Sequence, residues 1–256
     1  MSRFLMQLLH GECLENSCLR RLFLRVVVPH IYAKDMEDNF VASNLGYVPL
    51  SRDDDTSGIV KEARNGTSLE VHLEANHRMY AKLLLQCSSL EKKAIIEIGC
   101  GRGTCCEVLQ AYFNEFGTYR GIDLIESVVQ QCRRNFSSDT RCSFMVGSAE
   151  TTGLASKSAD VVLNLESSHL YPDFRAFIYE VARILKFGGH FVWADHRGVN
   201  SWDRLVSIID DVGFKMLQCH DITQNVLKAN ADTKMLNHFR SGYYTYKLYV
   251  FTLQKL

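Results

Sequence analysis

The chain has 256 residues, of which 46% are hydrophobic and 23% are charged, and its 29 Lys and Arg residues balance its 29 Asp and Glu residues. A chain of this length and composition can bury the core of an ordinary globular protein. The balanced charge excludes the excess of basic residues on which nucleic-acid binding depends, so we expect no nucleic-acid partner.

The cysteines argue for a reducing environment. There are nine of them, an odd number, and they form neither a C-x-x-C pair nor a group with histidine at zinc spacing. Reduced thiols in a cytoplasmic protein are the simplest interpretation, and we expect no metal site.

The N-terminal part is predicted to be mostly helical, with a break at residues 39–56 and a second helical stretch from about residue 68 to 90. No segment in it reaches the ~20 apolar residues of a membrane span. Residues 19–28 mix arginines with apolar residues, which fits either peripheral contact with a membrane or a helix packed over the core. We interpret residues 1–90 as an N-terminal helical cap at the substrate mouth and residues 91–256 as the main domain of one compact unit.

From Lys93 onwards, short β-branched runs alternate with amphipathic segments, as in βαβ units. The alternating run at residues 244–253 is typical of a half-exposed antiparallel strand. These patterns predict a doubly wound α/β fold with a mainly parallel sheet and an antiparallel C-terminal hairpin. The other predicted strands are residues 94–98, 119–123, 143–146, 160–165 and 190–195.

Two later helices show start and stop signals. A helix near residues 174–185 is predicted to receive its left-handed cap from Gly188-Gly189. Ser201 is predicted to cap the next helix, which Gly213 stops.

A glycine-rich turn carries the sharpest functional signal. The first buried strand includes Glu97, and glycines follow at positions 99, 101 and 103 before a helix begins near Thr104. Glycine is needed where the backbone turns sharply or a ligand lies against it. The NAD fingerprint would place its third glycine one residue later. The alternative is a tight turn without a ligand.

The next two strands end in further polar residues. Asp123 lies 20 residues beyond Gly103, where a carboxylate can accept both hydroxyls of a ribose. Its alternative role is to cap the helix at residues 127–135. The third strand is followed by Gly147-Ser148-Ala149-Glu150. Because the carboxyl ends of neighbouring parallel strands share one edge, these three loops should meet in one crevice.

The E-x-G-x-G-x-G pattern resembles motif I of class I S-adenosylmethionine-dependent methyltransferases. The resemblance implies a Rossmann-like seven-stranded sheet and S-adenosyl-L-methionine as methyl donor. Ser148 departs from the acidic residue that the family usually carries at this position. The implied cofactor-binding residues are Glu97, Gly99, Cys100, Gly101, Gly103, Asp123, Leu124, Ser148, Ala149, Glu150 and Asn164.

The fourth and fifth strands end in E-S-S-H-x-Y-P and A-D-x-R. Together with Asn44-Leu45-Gly46-Tyr47, they resemble O-methyltransferases of the phthiotriolone/phenolphthiotriolone type. They are also similar to the macrolide and indolocarbazole sugar O-methyltransferases. The resemblance runs from about residue 25 to the end of the chain. It implies O-methylation of a small apolar acceptor, lipid-like or polyketide-like, with His169 and Asp195 serving the acceptor hydroxyl.

A histidine with a pKa near ~6.5 suits the removal of a hydroxyl proton, and an aspartate can fix its tautomer. The alternative is that His169 only lines the pocket and Asp195 caps a loop. His196 is expected to be structural or solvent-facing.

Two other functions stay open. A sterol-type C-methyltransferase or an N-methyltransferase would use the same fold, with Glu166 as the candidate acid for proton relay from carbon. A catalytically silent S-adenosylmethionine-binding protein would fit Ser148 and the short segment at residues 223–238, where relatives carry a longer helical lid. The acceptor and the oligomeric state are not determined.

Overall fold

The computed structural model describes residues 44–51, 56, 68–230 and 236–255. The predicted basic segment at residues 19–28 and most of the predicted helical cap lie outside these described residues. Among the helices that are described, none is long and apolar enough to cross a membrane.

Helices and strands alternate through most of the described chain. The strands are β1 (Ala94–Ile98), β2 (Thr118–Asp123), β3 (Cys142–Val146), β4 (Ala159–Leu165), β5 (Leu185–Gly198), β6 (Phe214–Asp221) and β7 (Tyr244–Leu253). The helices are α1 (Ser68–Leu84), α2 (Thr104–Tyr112), α3 (Glu126–Asn135), α4 (Phe174–Ile184), α5 (Trp202–Asp211), α6 (Thr223–Ala229) and α7 (Asn237–Arg240). Short 3₁₀ turns cover Ser168–Leu170 and Val199–Ser201.

All seven described strands form one sheet, in the order β3-β2-β1-β4-β5-β7-β6. The pairs from β3 to β5 are parallel, whereas β7 runs antiparallel to both β5 and β6. The predicted doubly wound, Rossmann-like sheet with an antiparallel C-terminal hairpin is therefore confirmed. The strand order reverses between β1 and β4, and such a reversal opens a crevice at the carboxyl ends of the strands.

Helices cover both faces of the sheet. On one face, Met79 and Leu83 of α1 join Val108 of α2 and Val129 of α3 in a buried cluster. On the other face, α4 and α5 cover a second buried cluster that is rich in aromatic side chains. The described part of the predicted cap, α1, thus contributes to the main core through the i, i+4 spacing of its apolar residues.

The predicted glycine cap of α4 is wrong. The helix ends at Ile184, and Leu185 is already extended and starts β5. Gly188 does adopt a left-handed backbone, with φ +74°. It lies in an irregular stretch of β5, because the pairing with β4 jumps from Leu185 to His190. The left-handed residue therefore serves a bulge in the strand and not the end of a helix.

Ser201 occupies the N-cap position of α5, but its hydroxyl does not cap the helix. Its Oγ donates to the carbonyl of Gly198 at 2.8 Å, because a 3₁₀ turn leads directly into the helix. The predicted stop at Gly213 agrees with the structure: α5 ends at Asp211, and Gly213 has φ +97°.

Candidate active site

The glycine turn after β1 is held to the end of β2 by hydrogen bonds. The amide of Gly99 donates to the carbonyl of Ile122 at 2.8 Å, and the amide of Gly101 donates to Asp123 Oδ2 at 2.9 Å. Gly99 has φ +77°, and a Cβ atom built on it would lie 2.3 Å from Ser167 Oγ. Glycine is needed here for the left-handed backbone and for the close approach of the β4 loop.

Asp123 joins two loops of the predicted crevice. Besides the bond from Gly101, its Oδ1 accepts from the amide of Ile125 at 3.0 Å. Burial raises the pKa of this carboxyl, although the amide donors oppose the rise. Ile125 is the N-cap residue of α3, so Asp123 contacts the residue before the helix but is not its cap. The carboxylate thus lies beside the glycine turn, as its predicted role requires.

A cavity of about 290 Å³ opens between these loops, and we call it the glycine-turn cavity. Loops that follow β1, β2, β3 and β4 line it, as the reversal of strand order predicts. Seven of the eleven predicted cofactor-binding residues line this cavity: Gly99, Gly101, Asp123, Leu124, Ser148, Ala149 and Glu150. Their role in binding a cofactor stays a prediction, but the structure brings them together.

The other four predicted residues do not line the cavity. Glu97 is fully buried in β1, where its carboxyl accepts from the hydroxyls of Tyr80, at 2.9 Å, and Tyr119. Burial raises the pKa of Glu97 to about 8, and the hydroxyl donors oppose this rise. Glu97 therefore links β1 to α1 through its hydrogen bond with Tyr80, and its role is structural.

The other three predicted residues lie in or against the glycine turn without lining the cavity: Cys100, Gly103 and Asn164. Cys100 is buried, and Gly103 has φ +84° at the N-cap of α2. The amide nitrogen of Asn164 donates to the carbonyl of Ile98 at 2.8 Å. It also contacts the hydroxyls of Ser167 at 2.8 Å and Tyr171 at 2.9 Å.

His169 and Asp195 form the pair that the sequence predicts. His169 Nδ1 lies 2.8 Å from Asp195 Oδ1. Asp195 is fully buried, and its Oδ2 also contacts the guanidinium of Arg197 at 3.0 Å. Burial opposes its ionisation, but the charges of Arg197 and His169 hold the pKa of Asp195 well below its ordinary value. The carboxylate can therefore orient the imidazole.

A buried network fixes this pair. Ser168 Oγ donates to Asp195 Oδ2 at 2.6 Å and accepts from Trp193 Nε1 and Arg197 Nη2, both at 2.9 Å. The ring of His196 lies 4.4 Å from that of His169, between centroids. His196 is buried, which agrees with a structural role and excludes the solvent-facing alternative.

His169, Asp195 and His196 also bring possible metal ligands within 4.8 Å of one another. However, the guanidinium of Arg197 already contacts Asp195 and is itself buried. A fixed positive charge at this distance opposes the binding of a cation. We therefore interpret the group as a hydrogen-bond network.

His169 lines a second cavity of about 1360 Å³, which we call the histidine cavity. It lies between the loops after β4 and β5, helix α5 and the turn before β7. Tyr171 and Pro172 line both cavities. The two cavities therefore meet at the loop that carries His169.

Glu166 lines the glycine-turn cavity at the end of β4. Its backbone is left-handed, with φ +46°, which is uncommon outside glycine and marks strain. Its Oε1 accepts from the amide of Leu45 at 2.8 Å and from the hydroxyl of Tyr246 at 2.7 Å. Burial raises the pKa of Glu166 to about 8, against the effect of these two donors.

Several residues that line the glycine-turn cavity were not predicted as site residues. Tyr171 and Ser167 belong to the E-S-S-H-x-Y-P segment, so the motif gave a signal for them. Tyr80 and Asn44 come from the N-terminal part. Asn44 belongs to the Asn44-Leu45-Gly46-Tyr47 segment of the resemblance, whereas no pattern marked Tyr80 as a cavity residue. Their positions depend on how α1 and residues 44–48 pack over the sheet.

Comparisons with known proteins agree with this geometry. Residues 96–193 match a methyltransferase domain family model. The chain is 30% identical to a fatty-acid O-methyltransferase from Mycolicibacterium smegmatis over 202 residues, which are 75% of this chain and 66% of the relative. It is 34% identical to a phthiotriol/phenolphthiotriol dimycocerosates methyltransferase from Mycobacterium tuberculosis over 129 residues, which are 50% of this chain and 45% of the relative.

Solved structures with low sequence identity share the fold. A geranyl diphosphate C-methyltransferase from Streptomyces coelicolor matches with a TM-score of 0.66 at 16% identity, over 82% of this chain and 90% of that one. The cyclase SpnF matches with a TM-score of 0.67 at 13% identity, over 93% and 96%. At these identities the likeness concerns the fold alone, since one fold hosts many chemistries.

Proposed function

The chain belongs to the class I S-adenosylmethionine-dependent methyltransferases, and on this premise we propose that it methylates an oxygen atom of a small, lipid-like acceptor. The observation that carries the proposal is the His169–Asp195 pair, with Nδ1 and Oδ1 2.8 Å apart, beside the border of two cavities.

The glycine-turn cavity is proposed to hold the donor. Each carboxylate oxygen of Asp123 accepts a hydrogen bond from a backbone amide. Each oxygen has a further lone pair that can accept from a ribose hydroxyl. Gly99 and Gly101 let a ligand approach the backbone closely. S-adenosylmethionine, when bound, supplies an electrophilic methyl group on a positively charged sulfur.

The histidine cavity is proposed to hold the acceptor. With Nδ1–H donated to the ionised Asp195, Nε2 of His169 is the basic nitrogen and takes the proton of an acceptor hydroxyl. Asp195 then stabilises the imidazolium. General-base catalysis of this kind contributes roughly 10²–10⁴ in rate. Alignment of the two reactants, which the adjoining cavities provide, is worth up to ~7–11 kcal/mol.

Two observations support a lipid-like acceptor. The relatives described above act on fatty acids and on dimycocerosate lipids, by their names. The histidine cavity is large, and apolar side chains such as Phe174, Leu205 and Ile208 contribute to its wall. Burying an alkyl chain there would contribute about 0.8 kcal/mol per methylene group.

C-methylation with Glu166 as the acid that relays a proton from carbon is a second candidate. Glu166 lines the glycine-turn cavity, whereas His169 lines only the neighbouring one. A carboxyl with a pKa near 8 can exchange a proton at neutral pH. A chain that binds the donor without transferring its methyl group is the third candidate, because Ser148 replaces the acidic residue that the family usually carries at this position.

A labelled-methyl assay separates these candidates. The wild type, His169→Ala and Glu166→Gln would be incubated with radiolabelled S-adenosylmethionine and either fatty acids, long-chain alcohols or prenyl diphosphates. We expect O-methylated product from the wild type and a roughly 10²–10⁴-fold lower kcat for His169→Ala. The Kd for S-adenosylhomocysteine, measured by calorimetry, should stay within about twofold of the wild-type value.

His220→Ala is the matched control, since His220 is an exposed histidine on β6 and should keep full activity. Equal turnover of His169→Ala and the wild type would refute the role of His169 as base. Loss of turnover in Glu166→Gln alone, with methyl label on carbon, would favour the second candidate. Donor binding without product from any acceptor class would favour the third.

A further inference from the structure

Five cysteines lie in the glycine turn, in α2 or in the neighbouring elements α3 and β3: Cys100, Cys105, Cys106, Cys132 and Cys142. All seven cysteines of the described residues are free thiols. Among them, Cys106 of α2 and Cys142 of β3 are in direct contact, with 2.9 Å between their sulfur atoms. A disulfide has an S–S distance of about 2.0 Å, so an approach of less than about 1 Å would join the two sulfurs. Thirty-six positions separate them along the chain.

The two thiols differ in environment. Cys142 is half-buried at the start of β3, whereas Cys106 is buried. The thiol of Cys106 donates to Cys142 Sγ, and Gln110 Nε2 also donates to it at 3.8 Å. The bond from Cys106 and the charge of Arg141 lower the pKa of Cys142, against burial and the nearby Asp139. Cys142 is thus the more acidic thiol of the pair, and it lies nearer the solvent.

We propose that Cys106 and Cys142 are a site of oxidative modification, which forms an intramolecular disulfide between α2 and β3 when the protein meets a peroxide. The contact of the two sulfurs and the partial exposure of Cys142 alone carry this inference. It does not depend on the proposed function, because neither cysteine lines either cavity.

The chemistry needs hydrogen peroxide as its only co-reactant. The Cys142 thiolate attacks one peroxide oxygen, the O–O bond breaks, and a sulfenic acid and hydroxide form. The Cys106 sulfur then attacks the Cys142 sulfur, the S–O bond breaks, and the hydroxyl leaves as water with the Cys106 proton. Two thiols lose two electrons in total, and one peroxide gains them and becomes two water molecules.

The cross-link should stabilise the fold without closing the donor cavity. It closes a loop of 36 positions and therefore restricts the unfolded chain. The sulfurs are already in contact, and less than about 1 Å separates that contact from a disulfide bond. We expect the Tm of the oxidised protein to rise by roughly 5–10 °C, while the Kd for S-adenosylhomocysteine changes less than about twofold.

The test uses the full chain treated with a small excess of hydrogen peroxide. Remaining thiols are then alkylated, and the protein is digested without reductant and analysed by mass spectrometry. We expect one linked peptide pair that contains Cys106 and Cys142, loss of two titratable thiols per chain, and reversal by dithiothreitol. Cys142→Ser and Cys106→Ser should show neither the linked peptide nor the rise in Tm.

Cys105→Ala and Cys219→Ser serve as controls. Cys105 is the neighbouring buried cysteine on α2, and Cys219 is exposed on β6, so both variants should still form the cross-link. Recovery of Cys106 and Cys142 as separately alkylated peptides from oxidised wild type would overturn the proposal. So would a sulfinic acid on Cys142 without linkage, and neither outcome requires a variant that folds.

Discussion

At the scale of single residues, the site depends on carboxyl groups whose pKa values are shifted in opposite directions by their surroundings. Asp195 is ionised because Arg197 and His169 lie against it. Glu166 accepts hydrogen bonds from an amide and a hydroxyl, and the negative charge of Asp195 opposes its ionisation. The same kind of group is therefore a fixed anion at one position and a protonated acid near neutral pH at the other.

This difference predicts a pH effect on stability that Glu166→Gln removes. In the folded protein Glu166 keeps its proton up to about pH 8, whereas its ordinary pKa is 4.5. Between these values the unfolded chain loses the proton first, so the free energy of unfolding falls as pH rises. The full shift sets a bound of roughly 5 kcal/mol, and because Glu166 is only partly buried we expect about 2 kcal/mol.

Urea unfolding of the wild type and Glu166→Gln at pH 5.5 and pH 8.5 measures this effect. Glutamine keeps an oxygen that accepts from Leu45 and Tyr246, so the hydrogen bonds persist. Glu97, which has a similarly raised pKa, is present in both proteins and cancels from the comparison. The wild type should become less stable relative to the variant at high pH. Parallel pH profiles would contradict the raised pKa of Glu166.

At the scale of elements, the turn between β1 and α2 has no room for a side chain at Gly99, because the loop after β4 lies against it. Gly99→Ala would bring a Cβ atom to 2.3 Å from Ser167 Oγ and 2.8 Å from the Tyr171 hydroxyl. We expect the variant to lose about 2–4 kcal/mol of unfolding free energy, from overpacking and backbone strain. Its Kd for S-adenosylhomocysteine should rise at least about tenfold.

Gly153→Ala is the matched control for this prediction. Gly153 has φ +76°, nearly the same as Gly99, but nothing lies within 4 Å of a Cβ atom built there. Its substitution should cost only the strain of a left-handed backbone, about 1–2 kcal/mol, and leave donor binding unchanged. Thermal unfolding and calorimetry of both variants give the two quantities. Similar results for the two variants would show that the contact with Ser167 is unimportant.

At the scale of the whole molecule, a ligand that bridges the loops of four strands should stabilise the sheet. At 100 times its Kd, S-adenosylhomocysteine should add about 2.7 kcal/mol to the unfolding free energy. For a chain of this size the Tm should then rise by about 5–10 °C. Asp123→Ala should lose most of this rise, whereas Asp203→Ala, on the exposed side of α5, should keep it.

Differential scanning fluorimetry over a range of ligand concentrations measures these shifts. If neither S-adenosylmethionine nor S-adenosylhomocysteine changes the Tm of the wild type, the assignment of the glycine-turn cavity as the donor site is contradicted. An unchanged shift in Asp123→Ala would contradict the role of this carboxylate alone and leave the cavity assignment intact.

Local patterns determined much of the architecture. The β-branched runs, the glycine turn and Asp123 predicted the parallel strands and the crevice at their carboxyl ends. These features depend on neighbours in sequence: a buried strand is apolar on both faces, and a left-handed turn selects glycine. Local patterns misplaced the cap of α4, because a glycine with positive φ serves a helix end and a strand bulge equally well.

Only the tertiary structure decided which residues surround the cavities and what charge they carry. It placed Glu97 and Asn164 behind the glycine turn, His169 in the neighbouring cavity, and Tyr80 of α1 on the wall of the first. It also brought Tyr246 against Glu166 and Cys106 against Cys142. Such contacts join positions far apart in the chain, and burial and charge act through distance in space, so sequence spacing does not reveal them.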